Sequence, residues 1–534
     1  MSKKLLLLGN EAIAKGAIDS GLTAIYAYPG TPSTEIAEYI ENSEEAKELG
    51  VKCYWCANEK TAVEGAIGMS YAGKRAMACM KHVGLNVAAD PFINSAVTRI
   101  NGGLIIVAAD DPSMHSSQNE QDSRFYGDFA FVPILEPSNQ QEAYDIIEYA
   151  FELSEKYSIP VLLRTTTRLS HSRSAITIKT TTKQQNPLNL PKDLKQFVLL
   201  PSIARKKYKD LLNIQEKLLE ESETSKYNIY KKGEDNSLGI ITTGIAYNYL
   251  LEVFNGNVPY SYLKISQYPI PIKLVKELYN TSDEIIVIEE GYPFVEKQLR
   301  GLLNIGKKIK GRLDGTLPRD GELNPNIVAK AFNINWETHY NVPSEVVVRP
   351  PRLCPGCPHA DTFLALKEAL RDYSEGRVFS DIGCYTLGAL PPYEILNSCV
   401  DMGAAITMAK GAADAGLTPA ISVIGDSTFT HSGMTGLLDC VTYNSNVKII
   451  ILDNYTTAMT GGQPSLGYGK LENICKGLGV PEEHIKTIIP LPKNFETNVA
   501  ILKDEFKYNG VSVIISKREC VITAGRKMRE KFKK

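Results

Sequence analysis

The sequence predicts an α/β protein built on doubly wound parallel sheets, arranged in more than one domain. Short runs that are apolar throughout, such as "GLIIVAAD" and "IPVLLRTTT", alternate with helix-type patterns such as "EKTAVEGAIGMSYAG". Strands that are apolar on both faces are typical of parallel sheets covered by helices on each side. At 534 residues the chain is also too long for a single hydrophobic core. We therefore expect two such domains with a smaller α/β unit between them.

The pattern divides the chain into five segments. Residues 1–180 contain the first doubly wound domain, and its opening run "LLLL" predicts a first buried strand. Residues 181–236 are a polar linker, punctuated by prolines, with an amphipathic surface helix. Residues 237–320 form the smaller α/β unit, and residues 321–349 a second linker. Residues 350–534 form the last domain, with strands "VFSDIG", "AISVIGD", "VKIIILDN" and "VSVIIS" and a basic tail that predicts a solvated last helix.

Composition and charge exclude several classes of protein. A net charge of −2 offers no basic excess for nucleic acid, and no apolar stretch is long enough to span a bilayer. The opening apolar run is only four residues long, and no cleavage site for a signal peptide follows it. Ten cysteines are too sparse for a disulfide scaffold of this length. We expect a cytoplasmic protein that binds neither nucleic acid nor membrane.

Two polar residues follow neighbouring strands of the last domain. Asp426 comes after "AISVIG", a helix pattern follows, and Asn454 then ends "VKIIILD". Such a β-α-β crossover makes the two strands parallel, so both residues lie at the carboxyl edge where α/β sheets bind ligands. One carboxylate and one amide oxygen suit Mg²⁺, which completes its octahedron with phosphate and water. The alternative is structural, with Asp426 capping a helix and Asn454 making a turn.

The spacing of these residues resembles the magnesium–diphosphate motif of thiamine diphosphate enzymes, with Ser427 where that motif usually has glycine. "DIGCYTLG" and "CPGCPHADTF" resemble turns in the diphosphate-binding domain of 2-oxoacid:ferredoxin oxidoreductases, and "DMGAAITMAKGAA" resembles its helix start. The resemblance implies that the metal ligands are Asp426, Asn454 and Thr456. It implies cofactor contacts from Gly383, Cys384, Met402, Gly403, Gly425, Asp426, Ser427 and Asn454.

The resemblance narrows to the large (alpha) subunits of the indolepyruvate:ferredoxin oxidoreductase family, through "HSSQNEQDSRFYG" and "ILDNYTTAMTGGQPS" together with the motifs above. It covers nearly the whole chain. It implies a pyrimidine-binding domain at residues 1–180, a transketolase C-terminal-like domain at 237–320 and a diphosphate-binding domain at 350–534.

Three residues are implied to be catalytic. "NEKTAVEGAIGMSYAG" is similar to the family's glutamate helix. The similarity implies that Glu59 is the carboxylate against the aminopyrimidine ring of the cofactor and that the nearby Glu64 is not catalytic. Thr31 in "YPGTPSTE" would lie beside the substrate, although it is also a good helix N-cap ahead of Pro32. His359 orients substrate or packs against the loop that carries it.

The implied reaction is a Mg²⁺- and thiamine diphosphate-dependent oxidative decarboxylation of aryl 2-oxo acids such as indolepyruvate. Coenzyme A takes the acyl group and a ferredoxin takes the electrons. A small beta subunit is the implied partner, in a homodimer or an α2β2 complex.

One departure from the family raises alternatives. Its alpha subunits usually continue into a module that binds two [4Fe–4S] clusters, whereas this sequence reaches Lys534 without such a cysteine run. We therefore expect no iron–sulfur cluster within the chain, and a non-oxidative decarboxylase or carboligase is the alternative. A non-catalytic subunit is a third reading, which the presence of Glu59, Asp426 and Asn454 disfavours.

The cysteines add one further question. Two Cys-x-x-Cys pairs, Cys53 with Cys56 and Cys354 with Cys357, are a metal-type signal, but they fall in different predicted domains. We therefore expect no metal site shared between them. Five others are expected to be small buried apolar residues: Cys79, Cys399, Cys440, Cys475 and Cys520.

Overall fold

The structure is a computed structural model that describes residues 3–190, 196–303, 306–336, 343, 345–346, 352–399 and 401–531. The chain forms two compact units, Met1–Asn341 and Val342–Lys534. The division falls inside the predicted linker 321–349, and the other predicted domain boundaries stay predictions. Within the described residues, no helix combines the length and the apolar character needed to cross a membrane.

The first unit alternates strands and helices along most of its length. Its strands are β1 (Lys3–Leu8), β2 (Ala24–Ala27), β3 (Lys52–Trp55), β4 (Ala76–Lys81), β5 (Leu104–Asp110), β6 (Ile134–Leu135), β7 (Val161–Thr166), β8 (Arg173–Ile178), β9 (Ile229–Lys231), β10 (Asp235–Thr243), β11 (Tyr260–Ile265), β12 (Gln267–Tyr268), β13 (Glu284–Ile288) and β14 (Ile309–Lys310). Its helices are α1 (Gly9–Asp19), α2 (Thr34–Asn42), α3 (Glu44–Glu48), α4 (Glu59–Tyr71), α5 (His82–Val87), α6 (Ala89–Thr98), α7 (Arg124–Phe129), α8 (Gln140–Tyr157), α9 (Thr167–His171), α10 (Pro201–Asn213), α11 (Gln215–Glu223), α12 (Ala246–Val253), α13 (Ile272–Thr281), α14 (Phe294–Leu302) and α15 (Pro325–Ala331).

A seven-stranded sheet in the order β12-β6-β7-β5-β4-β2-β3 forms the centre of this unit. Its pairs are parallel except for β12 against β6. The apolar runs predicted β2, β4, β5 and β7, and each is buried as a covered parallel strand should be. The half-exposed β3 was not predicted, because its mixed residues "KCYW" lack the continuous apolar character of the others.

The prediction of a buried first strand at the opening run is wrong. Strand β1 pairs antiparallel with β8 in a separate two-stranded sheet, and Leu6 is 65% exposed. Leu7 faces the core beside it. A run of identical apolar residues carries no alternation, so its periodicity cannot distinguish a half-buried ribbon from a covered strand.

The second sheet of this unit has the order β14-β13-β10-β11-β9, with β9 the antiparallel strand at its edge. A buried charge network joins it to the first sheet. Arg164 of β7 bonds to Asp110 Oδ2 at 2.7 Å, and Arg124 reaches Glu289, just beyond β13, at 3.0 Å. Both guanidinium groups are fully buried. Their pairing with buried carboxylates therefore fixes the position of the two sheets against each other.

Glu290 lies at the edge of this network and makes the stability of the first unit depend on pH. Burial, and then the nearby Glu322, raise the pKa of Glu290 to about 7. A carboxyl group whose folded pKa exceeds its unfolded value stabilises the fold at low pH, and this contribution is lost as pH rises towards 7. We expect Glu290→Gln to raise the melting temperature at pH 8 by about 3 °C or more, and by less at pH 5.5. Thermal scans at both values test this, with the exposed Glu252→Gln as control; an equal shift at both pH values would contradict it.

The second unit is a single doubly wound domain. Its strands are β15 (Val378–Ser380), β16 (Ala420–Gly425), β17 (Val447–Asp453), β18 (Thr456–Thr457), β19 (Gln463–Pro464), β20 (Ile485–Ile488) and β21 (Ser512–Lys517). Its helices are α16 (Pro358–Ala369), α17 (Ala404–Asp414), α18 (Asp426–Thr428), α19 (Met434–Thr442), α20 (Leu471–Gly477), α21 (Phe495–Lys507) and α22 (Val521–Lys531). Five strands in the order β15-β16-β17-β21-β20 form a fully parallel sheet.

The four strands predicted for this domain are present, and β20 is an addition at the sheet edge. Strands β16 and β17 are parallel neighbours, with Gly425 opposite Leu452. The predicted last helix is α22; the final residues 532–534 of the basic tail lie outside the described part of the chain.

Candidate active site

Asp426 and Asn454 lie at one edge of the second unit's sheet, as the crossover argument predicts. Asp426 follows the last residue of β16, and Asn454 follows the last residue of β17. The chain continues from Asp426 through α18 into one π-helical turn, Phe429–Gly433, before α19. Such π turns within helices are frequent at functional sites, because they redirect side chains at a helix end.

The carboxylate of Asp426 is only partly satisfied. The side chain is 2% exposed, and its Oδ1 accepts the Ser427 amide at 2.8 Å, while Oδ2 has no hydrogen-bond partner. Burial, and then repulsion from Asp453, raise the pKa of Asp426 to about 7. Oδ1 of Asp453 is likewise buried without a hydrogen-bond partner, and Ser465 lies beside the Asp426 carboxylate. Because unpaired buried carboxylates are costly, a cation would stabilise this group of oxygens.

Asn454 connects this group of oxygens to His359. Its Oδ1 accepts the Thr456 amide at 3.2 Å, and its Nδ2 lies 3.2 Å from His359 Nε2. Burial lowers the pKa of His359 to about 4, so the neutral ring accepts this hydrogen bond. The Thr456 hydroxyl donates to the Gln463 carbonyl at 2.9 Å, which leaves its oxygen lone pairs available. His359 thus orients Asn454, and the oxygens of Asn454 and Thr456 remain open to a metal.

A tyrosine ring leaves no room for a side chain at two of the glycines that were predicted to contact the cofactor. A β-carbon on Gly383 would lie 2.2 Å from Cε1 of Tyr385, and one on Gly425 would lie 2.6 Å from the same atom. The Tyr385 hydroxyl donates to the carboxylate of Asp381, which sits at the edge beside them. Tyr385 therefore fixes the spacing between the turn after β15 and the end of β16, and it also packs edge-on against His359 at 6.1 Å.

The start of helix α17 is occupied in part by a protein carboxylate. Gly403 has a φ of 100°, and a β-carbon there would lie 2.6 Å from Ser432, so only glycine fits. Oδ2 of Asp381 accepts the amides of Gly403 at 3.0 Å and Ala405 at 3.4 Å. The Gly403 amide, which was predicted to meet the diphosphate, thus already has a carboxylate partner. Met402, the other predicted contact at this helix start, directly precedes Gly403. Burial raises the pKa of Asp381 to about 7.

These residues fit a divalent cation that is held jointly with a phosphate ligand. Within the part of the chain that the structure describes, no three acidic, histidine or cysteine side chains converge on one point. Mg²⁺ uses one or two carboxylates and takes its other oxygens from phosphate and water, so a cage is not needed. The unpaired Oδ2 of Asp426 and the oxygens of Asn454 and Thr456 would hold the ion. Ser427, whose hydroxyl lies 2.8 Å from Thr457 Oγ1, directly follows Asp426 and would contact a diphosphate bound to the ion.

Four cysteines line a cavity next to this site. Cys354, Cys357, Cys384 and Cys520 surround about 120 Å³ together with His359 and Asn454. Cys384 is the cysteine of the predicted cofactor turn, and burial raises the pKa of its thiol to about 12. Helices α16 and α22 begin beside Cys357 and Cys520, so their positive ends face the cavity. The sequence did not group these cysteines, because Cys520 is 136 positions from Cys384.

The catalytic candidates of the first unit lie at the carboxyl edge of its large sheet. Glu59 is the first residue of α4, 5% exposed, and its Oε1 would lie 2.5 Å from a β-carbon on Gly84. A glycine in α5 therefore makes room for this carboxylate. Glu64 is exposed and pairs with Lys60 on the outer surface of the helix, which agrees with its exclusion from the site.

The expectation that Thr31 caps helix α2 is wrong. The helix begins at Thr34, three residues later, and Ser33 precedes it. The Thr31–Pro32 peptide is cis, and the turn is closed by Ser33 Oγ donating to the Gly30 carbonyl at 2.7 Å. Thr31 is half-buried in this turn and does not cap the helix, and its place beside the substrate stays a prediction.

Sequence reasoning missed three residues of the second unit's site. Asp381 and Tyr385 belong to the motif "DIGCYTLG", in which only the glycine and the cysteine were predicted to contact the cofactor. Asp453 directly precedes Asn454, and a second carboxylate at that position was a usable signal. Cys399 was expected to be buried and is exposed, in a segment without regular secondary structure ahead of α17.

Comparisons with known proteins agree with this geometry. The family model "Pyruvate flavodoxin/ferredoxin oxidoreductase, thiamine diP-bdg" matches residues 15–219, and "Thiamine pyrophosphate enzyme, C-terminal TPP binding domain" matches residues 381–502. Among solved structures, 2-oxoglutarate:ferredoxin oxidoreductase from Magnetococcus marinus aligns with a TM-score of 0.51 and 17% identity. That alignment covers 62% of this chain and 65% of the other. The shared fold confirms the predicted thiamine diphosphate-binding architecture.

Closer relatives cover almost the whole sequence. The indolepyruvate oxidoreductase subunit IorA of Archaeoglobus fulgidus is 39% identical over 99% of this chain and 89% of its own length. The corresponding subunit of Pyrococcus horikoshii is 38% identical over 97% of this chain and 86% of its own length. The resemblance found in the sequence motifs is thereby confirmed. The chain belongs to the family of indolepyruvate oxidoreductase IorA subunits, among the thiamine diphosphate-dependent 2-oxoacid oxidoreductases.

Proposed function

We propose that the chain is the large subunit of a 2-oxoacid:ferredoxin oxidoreductase that acts on aryl 2-oxo acids such as indolepyruvate. The reaction converts the 2-oxo acid and coenzyme A into acyl-coenzyme A, CO₂, one proton and two electrons. Membership of the IorA family supports the substrate class. The observation that carries the proposal is the buried, unpaired Oδ2 of Asp426 at the sheet edge, beside Asn454.

The residues of the chain divide the work between cofactor binding and proton transfer. Bound thiamine diphosphate supplies the nucleophilic carbon that adds to the 2-oxo carbon. Asp426, Asn454 and Thr456 would hold Mg²⁺, and His359 keeps the Asn454 amide in position. Glu59 holds a proton at the aminopyrimidine ring, in a site that Gly84 leaves open for its carboxylate.

The four-cysteine cavity supplies an exit for the electrons. Iron–sulfur clusters are held by four cysteine thiolates, and a cluster separates its ligands more widely than a single ion does. Cys354, Cys357, Cys384 and Cys520 surround one cavity, which also reaches Asn454 of the cation site. The expectation of a chain without a cluster stays a prediction, and this arrangement supports the opposite proposal. We propose that these cysteines hold one cluster, which serves as a one-electron acceptor next to the cofactor.

Replacing Cys384 with serine tests this assignment. The variant is expected to lose most of its iron and acid-labile sulfide, because one of four thiolate ligands is removed. Its dye reduction should fall in parallel, while its affinity for thiamine diphosphate stays within a few-fold of wild type. Iron analysis and visible absorption of protein purified without oxygen are the measurements. The exposed Cys399→Ser is the matched control. Wild-type protein that holds no iron would overturn the assignment.

The partners follow from the reaction. A ferredoxin accepts the electrons, and a small beta subunit completes the complex with the large subunit, as a homodimer of the large subunit or as α2β2. Coenzyme A takes the acyl group. The basic end of the chain, from Arg526, is the surface we assign to an acidic electron carrier.

A product assay tests the whole proposal. Purified protein with its co-purifying partner receives thiamine diphosphate, Mg²⁺, indolepyruvate, coenzyme A and a viologen dye. Dye reduction with acyl-coenzyme A formation is the expected result. Aldehyde without dye reduction would instead establish the non-oxidative decarboxylase.

A further inference from the structure

One further lysine, Lys81, lies at the carboxyl edge of the first unit's large sheet. It belongs neither to the sequence motifs described above nor to the lining of the cysteine cavity. Lys81 is the last residue of β4, between β2 and β5. Its side chain runs over the turn that follows β2, since a β-carbon on Gly30 would lie 3.3 Å from Cγ and Cδ of Lys81. The next residue of that turn is Thr31. Lys81 therefore brings a cation to the edge that carries the catalytic candidates.

The ammonium group of Lys81 is only partly used by the protein. It donates one hydrogen bond, to the Ser116 carbonyl at 2.9 Å, and it forms no ion pair with any residue in the described ranges. The nearby Asp111 is engaged elsewhere. It accepts bonds from Thr167 Oγ1 at 2.6 Å, from the Ser116 amide at 2.8 Å and from Ser117 Oγ at 2.7 Å. Two N–H groups of the lysine are left for a ligand.

The electrostatic surroundings favour an anionic ligand at this position. Burial lowers the pKa of Lys81, and the negative charges of Asp111 and Glu59 oppose that shift. A half-buried cation without a contacting carboxylate is stabilised most by an anion that brings hydrogen-bond acceptors to its free N–H groups. Glu59, at the start of α4, and Lys81, at the end of β4, lie at the same edge of the sheet, so the ligand would sit at the edge that carries the proposed catalytic carboxylate.

We propose that Lys81 binds the carboxylate of the 2-oxo acid substrate. The inference rests on the proposed function and adds a specificity residue to it. A 2-oxo acid carries its negative charge on the group that leaves as CO₂, so the contact is strongest in the bound substrate and is lost during the reaction. Lys81 therefore acts on substrate affinity and selects acids over the corresponding aldehydes and esters.

Lys81→Met should raise the KM for indolepyruvate by about tenfold or more, because a charge-assisted hydrogen bond is removed. The kcat and the KM for coenzyme A should each change by less than about threefold, since ground-state binding alone is affected. Lys81→Arg should recover most of the affinity. Steady-state kinetics of the complete complex are the measurement, with Lys60→Met, a surface lysine paired to Glu64, as the matched control.

A binding assay separates this proposal from the proposed function. Calorimetry with 3-phenylpropionate, a carboxylate without a reacting carbonyl, should show about tenfold weaker binding to the cofactor-loaded Lys81→Met protein. If that variant does not fold, Lys81→Gln, which can still donate to the Ser116 carbonyl, replaces it. An unchanged KM, or a change confined to the KM for coenzyme A, would overturn the role of Lys81 while turnover by wild type stands. Wild type that binds 3-phenylpropionate through Lys81 but forms no acyl-coenzyme A would overturn the proposed function alone.

Discussion

Asp426→Asn is expected to weaken the binding of thiamine diphosphate with Mg²⁺ by about 100-fold or more. The substitution keeps the size of the side chain and the acceptor that meets the Ser427 amide at 2.8 Å. It removes the charge on the buried oxygen that lacks a partner, which is the strongest cation ligand at this edge. Calorimetric titration of the cofactor into protein with saturating Mg²⁺ measures the effect directly.

The same variant should not destabilise the cofactor-free protein. Burial and repulsion from Asp453 raise the pKa of Asp426 to about 7, so its ionised form is unfavourable in the empty fold at pH 8. A neutral amide relieves that repulsion, and the melting temperature is expected to stay the same or to rise. Asp439→Asn, on the exposed face of α19, is the matched control. Cofactor affinity that stays within threefold of wild type in Asp426→Asn would remove Asp426 from the metal site.

Glu59→Gln is expected to lower kcat by about 10²- to 10⁴-fold, because a positioned proton-transfer group is lost. The amide is isosteric with the carboxyl group, so the close approach to Gly84 is preserved. The affinity for thiamine diphosphate should change by no more than a few-fold, since Glu59 is not among the residues that we propose hold the diphosphate and Mg²⁺. Steady-state dye reduction gives kcat, and the calorimetric titration gives the affinity.

Glu64→Gln provides the control for that experiment on the same helix. Glu64 is exposed and pairs with Lys60, so its substitution should leave kcat unchanged. A kcat in Glu59→Gln equal to that of an active wild type would show that another residue holds the proton. A wild-type protein that neither turns over nor binds thiamine diphosphate would instead show a non-catalytic member of the family.

Much of the second unit's architecture was predictable from the sequence because its physical signals are local. The runs "AISVIG" and "VKIIILD" are apolar throughout, and the crossover rule makes them parallel neighbours. From those two facts alone, Asp426 and Asn454 fall at one edge, as the structure has them. Strands β2, β4, β5 and β7 of the first unit were predicted for the same reason.

The remaining features depend on contacts between distant parts of the chain. The partner of the Gly403 amide is Asp381, 22 positions earlier, and no spacing rule links a turn to a later helix start in this way. Cys520 joins three cysteines that precede it by more than a hundred positions. Thr31 satisfied the local rule for a helix cap, but a turn closed by Ser33 follows it and the helix begins only at Thr34. Tertiary packing decides such cases, and local propensity does not.

Tyr385 and the two glycines beneath its ring restrict the routes by which this site can change during evolution. A side chain at Gly383 or Gly425 would collide with the same ring atom, whereas a smaller residue at Tyr385 would remove both collisions and release Asp381. The fitness effect of a glycine substitution therefore depends on whether the tyrosine has already been lost. The three positions form an epistatic set, in which a new cofactor geometry becomes reachable only by changing Tyr385 first.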